Sequence, residues 1–390
     1  MITFKLAWRN LIGAGLRTWL NALVLSFSFV VIIWHRGFLA GWDNEARVET
    51  IAWEIGGGQY WHDQYDQYDP FTLEDSHGKL NESMQAASAR GSMTPVLITQ
   101  ATIYPDGRMQ SALLKGIPAD QKFLKLPTQQ LIPNDDYIPV VMGTRMAHAT
   151  RLKKGDTFSI RWRDSNGTFD AAEAKVVDIF KTIVPAVDAG QLWVPLEQLQ
   201  KMMRLPEEAT LVVVSPDVDK TPPFDGWRFQ SINSLMIEID NIIKNKQIGG
   251  SILYIILLAM AMLAIFDTQV LSIFRRQKEI GTHIALGMTR WQVIRLFTIE
   301  GAMHGVFAAI LAAIYGVPLL GLQAKYGFAM PAATDDYGLT IGERIFPAFS
   351  LGLVVGTTVV VLLTATIVSF LPTRRIAHLN PTDALRGKIS

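Results

Sequence analysis

The sequence holds 390 residues, 49% of them hydrophobic, with a mean hydropathy of +0.22 and a formal net charge of +1. It contains no cysteine, which excludes a disulfide framework and thiol chemistry. Residues 42–247 carry 28 acidic and 21 basic side chains, whereas the remainder carries 7 acidic and 15 basic ones. This asymmetry indicates an acidic extracytoplasmic domain on a membrane frame that is basic on its cytoplasmic side. It argues against a nucleic-acid partner, because the bases are not gathered on one soluble domain.

Residues 1–41 predict an amphipathic helix on the cytoplasmic membrane surface, followed by transmembrane helix 1. Apolar residues such as Phe4 and Leu11 alternate in helical phase with basic ones, and the apolar run that starts near residue 18 reaches the roughly 20 residues needed to cross a bilayer. A cleaved signal peptide is the alternative, but residues 38–42 fit a cleavage site poorly. His35 and Arg36 either face a substrate path or turn towards the membrane interface.

Residues 42–247 contain no run long enough to span a bilayer and predict a large mixed α/β extracytoplasmic domain. Pro105-Asp106-Gly107 predicts a hairpin turn, and basic residues followed by Gly155 predict the end of a helix. The predicted strands are 98–104, 109–114, 137–141, 157–163, 174–180, 191–194 and 211–214, and the predicted helices are 144–152 and 196–203.

Residues 56–70 are rich in glycine, aromatic and acidic residues. Three consecutive glycines suggest a phosphate cradle, but the Gly-Lys-Ser/Thr that completes such a motif does not follow. His62, Asp63, Asp66 and Asp69 suggest a metal site, yet their spacing matches no standard ligand pattern. We therefore predict an aromatic, acidic surface loop and no metal site.

Residues 248–390 predict three further transmembrane helices, at 248–273, 297–322 and 347–371. Between them lie a cytoplasmic coupling segment at 274–296 and a periplasmic loop at 323–346, and a cytoplasmic tail follows at 372–390. Four spans with both termini cytoplasmic satisfy the positive-inside rule.

Several polar or small residues fall inside these predicted spans. Asp267 is either a functional carboxylate or an interfacial partner of a nearby arginine. Gly301 and Gly305 predict close helix packing. Glu300 and His304 are four residues apart, and we predict that they hydrogen-bond each other as structural glue, with a proton relay as the alternative.

The coupling segment is basic and helix-forming. Gly281 and Gly287 are predicted to break a short helix at both ends, and Ala285, Leu286, Gly287 and Met288 are predicted to form an apolar knob for a soluble partner. The alternative is a loop that only sets the membrane topology.

Two motifs resemble those of FtsX-like, MacB-type (type VII) ABC transporter permeases. The first is the coupling segment, whose matching residues are Arg275, Arg276, Glu279, Ile280, Gly281, Ala285, Leu286, Gly287, Ile294, Phe297 and Glu300. The second is the tail, whose matching residues are Pro372, Arg374, Arg375, Ala377, Pro381, Ala384, Leu385 and Arg386. The four-span layout with a large outer domain is most similar to the lipoprotein-releasing permeases LolC and LolE. For the outer domain, the resemblance implies a porter-like part with a β-rich insert at about 135–190.

The resemblance also implies partners. The sequence shown has no P-loop motif, so we expect a non-catalytic subunit, with ATP and magnesium bound by two copies of a separate ABC ATPase. We expect a second permease chain, the same or related, contacts with membrane lipids, and a periplasmic lipoprotein carrier or an adaptor. The expected location is the bacterial inner membrane.

By the same resemblance, the expected activity is extraction of lipoproteins or similar lipid-anchored cargo from the outer leaflet of the inner membrane. The alternatives are a mechanotransmission protein that activates a cell-envelope enzyme or sensor, and the permease of a tripartite export system. In the lipoprotein model a lateral opening would be lined by apolar side chains of the first two spans, namely Phe27, Val31, Trp34, Ile252, Ile256 and Met260.

Overall fold

The computed structural model describes residues 16–218, 222–330 and 344–374. It divides into two compact units. One contains the long apolar helices, with Ile242–Ala329 as its longest continuous stretch, and the other is formed mainly by Asn44–Asn241. The predicted N-terminal amphipathic helix, most of the loop predicted at 323–346 and nearly all of the predicted tail lie outside the described residues.

The helices and strands follow one another along the chain in a mixed order. They are α1 (Leu16–Thr50), a π-helix (Ile51–Ile55), β1 (Gln59–His62), a 3-10 helix (Pro70–Glu74), β2 (Gly78–Lys79), α2 (Glu82–Ala89), β3 (Met93–Tyr104), β4 (Gln110–Ile117), β5 (Ile138–Gly143), α3 (Thr144–Thr150), β6 (Thr157–Arg163), β7 (Phe169–Phe180), α4 (Pro185–Asp188), β8 (Gln191–Pro195), α5 (Leu196–Met203), β9 (Glu208–Ala209), β10 (Leu211–Val214), β11 (Trp227–Gln230), α6 (Ile232–Leu235), α7 (Ile237–Arg275), α8 (Gln277–Ala285), α9 (Arg290–Tyr326), β12 (Phe328–Ala329), β13 (Arg344–Ile345) and α10 (Leu351–Thr373).

Four helices, α1, α7, α9 and α10, are long and apolar enough to cross a membrane. Each predicted span overlaps one of these helices, but the first three helices are longer than the predicted spans. Helix α1 continues to Thr50, α7 begins at Ile237 and α9 begins at Arg290. Hydropathy marks only the part of a helix that lipid surrounds, whereas the polar residues beyond it are also helix formers. At 1.5 Å per residue, α7 is about 60 Å long, roughly twice the bilayer core.

Small residues allow the long helices to pack closely. A Cβ atom on Gly301 would overlap the side chain of Ser369, and one on Gly305 would press on Ala365. The prediction that these two glycines permit close packing is therefore confirmed, and their neighbour is α10. The apolar core of this unit draws on all four helices and contains Leu25, Phe29, Val30, Ala261, Met262, Ile265, Ala308, Ala312, Val361 and Ala365.

The Asn44–Asn241 unit is built on a sheet in the order β11-β1-β10-β3-β4-β8-β5-β7-β6. An additional antiparallel pairing of β3 with β6 closes six of these strands into a barrel. The barrel interior is apolar and includes Ile103, Leu114, Val140, Ile160, Val176, Leu192 and Val194. The first residues of β3 pair with β10 instead, so β3 belongs both to the barrel and to the sheet that extends from it.

Several predicted elements of this unit match the structure. Strands β6 and β10 and helix α5 have the predicted bounds. The predicted hairpin is confirmed, because β3 and β4 pair antiparallel on either side of a short turn. Gly107, at the end of that turn, has φ of 73°, a conformation that glycine adopts without strain.

Two predictions for this unit were wrong. The range 135–190 is not a separable insert, since its strands share one barrel with β3, β4 and β8. The segment 56–70 is not wholly a surface loop, because it contains β1, which lies between β10 and β11. Tyr60 on β1 is fully buried and its ring contacts Phe224 and Phe229. The sequence analysis also missed α2 and β11.

Candidate functional site

The connector, defined here as residues 276–289, joins α7 to α9 through the short helix α8. Gly281 is buried within α8 and does not break it, so the prediction of a glycine at each end was wrong. Gly287 does have the predicted role, with φ of 97°. The amide of Gly287 donates to the carbonyl of Ile284, and the amide of Met288 donates to that of His283. These two bonds form a Schellman motif, which ends the helix and fixes the direction of the turn.

The connector has an apolar inner face and an exposed tip. Ile280 on α8 is fully buried, and its cluster includes residues of α7, α9 and α10: Ile273, Val293, Ile294, Phe297 and the partly buried Phe370. Leu286 is 79% exposed, and Ala285 and Gly287 beside it are exposed as well. Met288 packs against the inner cluster. Of the four residues predicted to form a knob, three lie at the exposed tip and Met288 faces inward.

Arg276 links the connector to α9. Its Nε donates to Glu279 at 2.6 Å, and its Nη1 lies 2.9 Å from both carboxylate oxygens of Glu300. Its guanidinium lies over the ring of Phe297, 4.8 Å from the centroid. Burial alone would lower the pKa of Arg276, but the carboxylates of Glu300 and Glu279 outweigh it and raise that pKa above its ordinary value. Arg275 next to it is exposed.

The predicted hydrogen bond between Glu300 and His304 was wrong. Glu300, 7% exposed, pairs with Arg276 instead, because an arginine offers its carboxylate a second charge as well as a donor. The Nδ1 atom of His304 lies 3.3 Å from the carbonyl oxygen of Gly301, and its Nε2 is buried with no partner among the described residues.

The start of α9 is capped by side chains. Thr289 is the N-cap, its hydroxyl accepts from the amide of Gln292, and the Gln292 side chain accepts from the amide of Thr289. This reciprocal capping box holds the end of the turn that carries Leu286. Gln292 is exposed, but its side chain takes part in this cap.

Only the first arginine of the predicted tail lies within the described residues. Arg374 is exposed, and its guanidinium carbon is 5.9 Å from the ring centroid of Phe370. The other tail residues named from the sequence lie outside the described part of the chain: Arg375, Pro381, Ala384, Leu385 and Arg386.

The residues predicted to line a cargo path lie on α1 and α7. Phe27, Ile252, Ile256 and Met260 are exposed on this single chain, and Val31 and Trp34 are partly buried. The Trp34 ring packs near Phe38 and Phe328. The exposed side chains are available to lipid, to a second chain or to cargo.

Polar residues near these helices have structural contacts. The Nδ1 atom of His35 lies 2.6 Å from the hydroxyl of Tyr254 on α7, and Arg36 donates to Thr357 on α10 at 3.4 Å. Asp267 is exposed and has no ion-pair partner in the part of the chain that the structure describes.

Three of the four residues that suggest a metal site in the sequence make other contacts in the structure. The carboxylate of Asp69 accepts from the amide of Phe71, that of Asp66 accepts from the amide of Tyr68, and His62 contacts the ring of Trp227. Within residues 16–218, 222–330 and 344–374, no group of three or more His, Asp or Glu side chains has an arrangement that could hold a metal ion.

Four long apolar helices, with a mixed α/β domain between the first two and a short connector between the second and third, indicate a multi-pass membrane protein. Residues 251–381 match the family model described as FtsX-like permease C-terminal. The chain therefore carries an FtsX-like permease domain, which confirms the resemblance inferred from the coupling segment and the tail.

Curated relatives agree with this assignment. An uncharacterized ABC transporter permease of Methanocaldococcus jannaschii is 30% identical over 135 residues, which cover 34% of this chain and 30% of that protein. The macrolide export ATP-binding/permease protein MacB of Agrobacterium fabrum is 24% identical over 320 residues, covering 75% of this chain and 46% of that protein. The lipoprotein-releasing system transmembrane protein LolC of Xylella fastidiosa is 22% identical over 324 residues, covering 75% and 76%. The chain spans less than a third of the length of the first curated relatives it matches.

Proposed function

We propose that this chain is the membrane subunit of an ABC transporter and couples ATP hydrolysis in a separate ATPase to a conformational change in its own outer domain. The observation that carries the proposal is the exposed leucine at the tip of the connector. Leu286 is 79% exposed, and burying its apolar surface in a groove of a partner would be favourable.

The connector also has the rigidity that coupling requires. The inner face of α8 is buried against α7 and α9, and the Arg276–Glu300 ion pair joins the connector to the third turn of α9. A partner that moves the tip would therefore move these helices with it. Coupling requires at least two conformations of the connector and its helices. The partner can shift the populations of these conformations only if it binds one of them more tightly.

The remaining parts of the assembly follow from this role. We propose two copies of the ATPase, which would bind ATP and magnesium, and a second permease chain, the same or related. We further propose a bacterial inner membrane location. Four crossing helices would put the segments before α1 and after α10 on the same side as the connector, and the basic residues in and around the connector support the cytoplasm as that side.

For the cargo we propose lipoproteins or similar lipid-anchored molecules, taken from the outer leaflet of the membrane. The similarity to a lipoprotein-releasing protein supports this choice, because it covers three quarters of both chains. The exposed apolar side chains at Phe27, Ile252, Ile256 and Met260 would contact acyl chains, and a periplasmic carrier would accept the cargo. Export of a small molecule through an adaptor is the second candidate, supported by similarity to the macrolide and pyoverdine export proteins.

The test uses the full chain reconstituted with its ATPase. Leu286→Asp would bury an unpaired charge in the interface, a penalty of several kcal/mol, so we expect at least a roughly hundredfold loss of ATPase affinity. Leu286→Met, which keeps the apolar surface, should retain assembly. Membrane insertion and protease resistance of the outer domain should be the same in both variants.

Full assembly and full ATP-driven activity in Leu286→Asp would contradict the coupling role of the tip.

The cargo proposal is tested in the same preparation by placing a photo-crosslinking residue at Ile256 and identifying the molecules that it traps. Trapping of an acylated protein that decreases when ATP is added would support lipoprotein extraction. Trapping of phospholipid alone would contradict lipoprotein extraction but would not contradict the coupling role of Leu286.

A further inference from the structure

Side chains of unassigned function lie where the start of α9 meets the end of α10, and the region between these two helix ends is called the cleft below. Trp291, Arg295 and Thr298 follow one another at spacings of four and three residues, so they lie along one face of α9. The Thr298 hydroxyl is 3.0 Å from the hydroxyl of Thr373 on α10. The rings of Trp291 and Phe370 meet edge to face, with centroids 6.1 Å apart. This face of α9 is therefore turned towards α10, and Arg295 lies between its two contacts.

The cleft combines two exposed cations with aromatic rings. Arg295 and Arg374 are both exposed, and neither has a carboxylate partner in the part of the chain that the structure describes. The guanidinium of Arg374 lies over Phe370, and Trp291, 63% exposed, flanks the same ring. The nearest acid on this part of α9, Glu300, is occupied by Arg276. The cleft therefore offers unneutralised positive charge beside an aromatic surface.

An apolar strip leads away from these cations along α10. Ile367, Leu371 and Arg374 are spaced by four and three residues and share one helix face. Both apolar residues are more than half exposed. In a helix that crosses a membrane, this strip faces the hydrocarbon, while its cationic end lies at the level of the connector.

We infer that this cleft binds the phosphate of an anionic phospholipid, with an acyl chain lying along Ile367 and Leu371. A guanidinium presents a planar fork of donors that matches phosphate oxygens, and tryptophan favours the headgroup level of a bilayer. Basic clefts between membrane helices on the cytoplasmic side bind anionic headgroups by these means. The inference depends on α9 and α10 crossing the membrane, and it does not depend on ATPase coupling.

The test measures lipid binding to the full-length chain in detergent by native mass spectrometry. Phosphatidylglycerol and phosphatidylcholine with the same acyl chains are added in turn. We expect preferential phosphatidylglycerol adducts for the unaltered protein and roughly tenfold weaker binding for each guanidinium removed, as in Arg295→Gln/Arg374→Gln. Lys325→Gln is the matched control, because it removes an exposed cation from the opposite end of α9 and should leave binding unchanged.

Arg295→Lys/Arg374→Lys keeps both charges without the planar fork, and intermediate binding is expected. Size-exclusion chromatography checks whether the glutamine double variant folds. If it does not fold, the lysine double variant is used in its place to test the contribution of the guanidinium groups. Equal binding of the two lipids, or unchanged phosphatidylglycerol binding in the glutamine double variant, would overturn the inference. Displacement of the lipid by millimolar inorganic phosphate or ATP would also overturn it, since the site would then select a soluble phosphate.

Discussion

The connector and the outer barrel achieve order in different ways. The connector has a single nine-residue helix, a small apolar face, one buried ion pair and an exposed leucine at its tip. The barrel has a closed ring of strands around a large apolar interior. In the connector the loss of one side chain should remove much of the local stability. In the barrel the same loss should be spread over many neighbours.

The largest expected effect is at the ion pair of the connector. Arg276→Ala would leave the Glu300 carboxylate buried without its counter-charge, a penalty on the order of 3–5 kcal/mol for the local structure. We expect faster hydrogen exchange in α8 and weakened ATPase assembly, with little change in the outer domain. Arg275→Ala, which removes the exposed neighbouring charge, is the matched control and should leave exchange in α8 unchanged. Equal effects of the two substitutions would mean that the ion pair does not hold the connector.

The next effect concerns the barrel. Leu114 is fully buried in its interior, and Leu114→Ala should destabilise the outer domain by about 3 kcal/mol through lost burial and a residual cavity. Proteolysis of the full chain in increasing urea measures this loss. Ser111→Ala, an exposed position on the same strand, is the control. ATPase assembly should be retained in both variants, and its loss in Leu114→Ala would disprove the independence of the two regions.

The smallest effect tests the cap of α9. Thr289→Ala removes the N-cap side chain and should cost about 1 kcal/mol, enough to increase hydrogen exchange in the first turn of α9. Thr282→Ala is the comparison, because Thr282 is an exposed threonine within α8 whose hydroxyl only returns to the carbonyl of Lys278. Alanine is the better helix former there, so this variant should be neutral or slightly stabilising. Similar exchange in both variants would show that the cap does not order the turn.

The sequence was sufficient to predict elements that depend on a local pattern of residues. The four spans follow from hydropathy, and β6 and α5 follow from strand alternation and from Pro195 ahead of an amphipathic helix. The sequence was not sufficient to predict contacts that depend on residues far away in the chain. Spacing suggested His304 as the partner of Glu300, but Arg276, 24 positions away in the chain, forms the pair.

Contacts with residues distant in the chain also explain the other differences between the predicted and the observed structure. Gly281 has a poor intrinsic helix propensity, yet it lies inside α8 because this face of the helix is buried against its neighbours. The polar and aromatic composition of 56–70 favoured a loop, but β1 obtains its hydrogen bonds from β10 and β11, which lie far along the chain. Helical periodicity still provides a signal for the cleft at Arg295, through the common face of Trp291 and Thr298.

Closure of the barrel also has a kinetic consequence. It requires Ala101 to pair with Trp162, about 60 residues away, and Leu113 to pair in parallel with Gln191, almost 80 residues away. The hydrogen bonds of a helix instead join residues four apart, so α1 and α7 can form as soon as their own residues are available. Contacts this distant in sequence slow folding towards the range of milliseconds to seconds. During biosynthesis the first membrane helix, α1, should therefore be in place before the barrel is complete. In that interval the unpaired edges of β3 and β6 are exposed to proteases and to the same edges of other newly made chains.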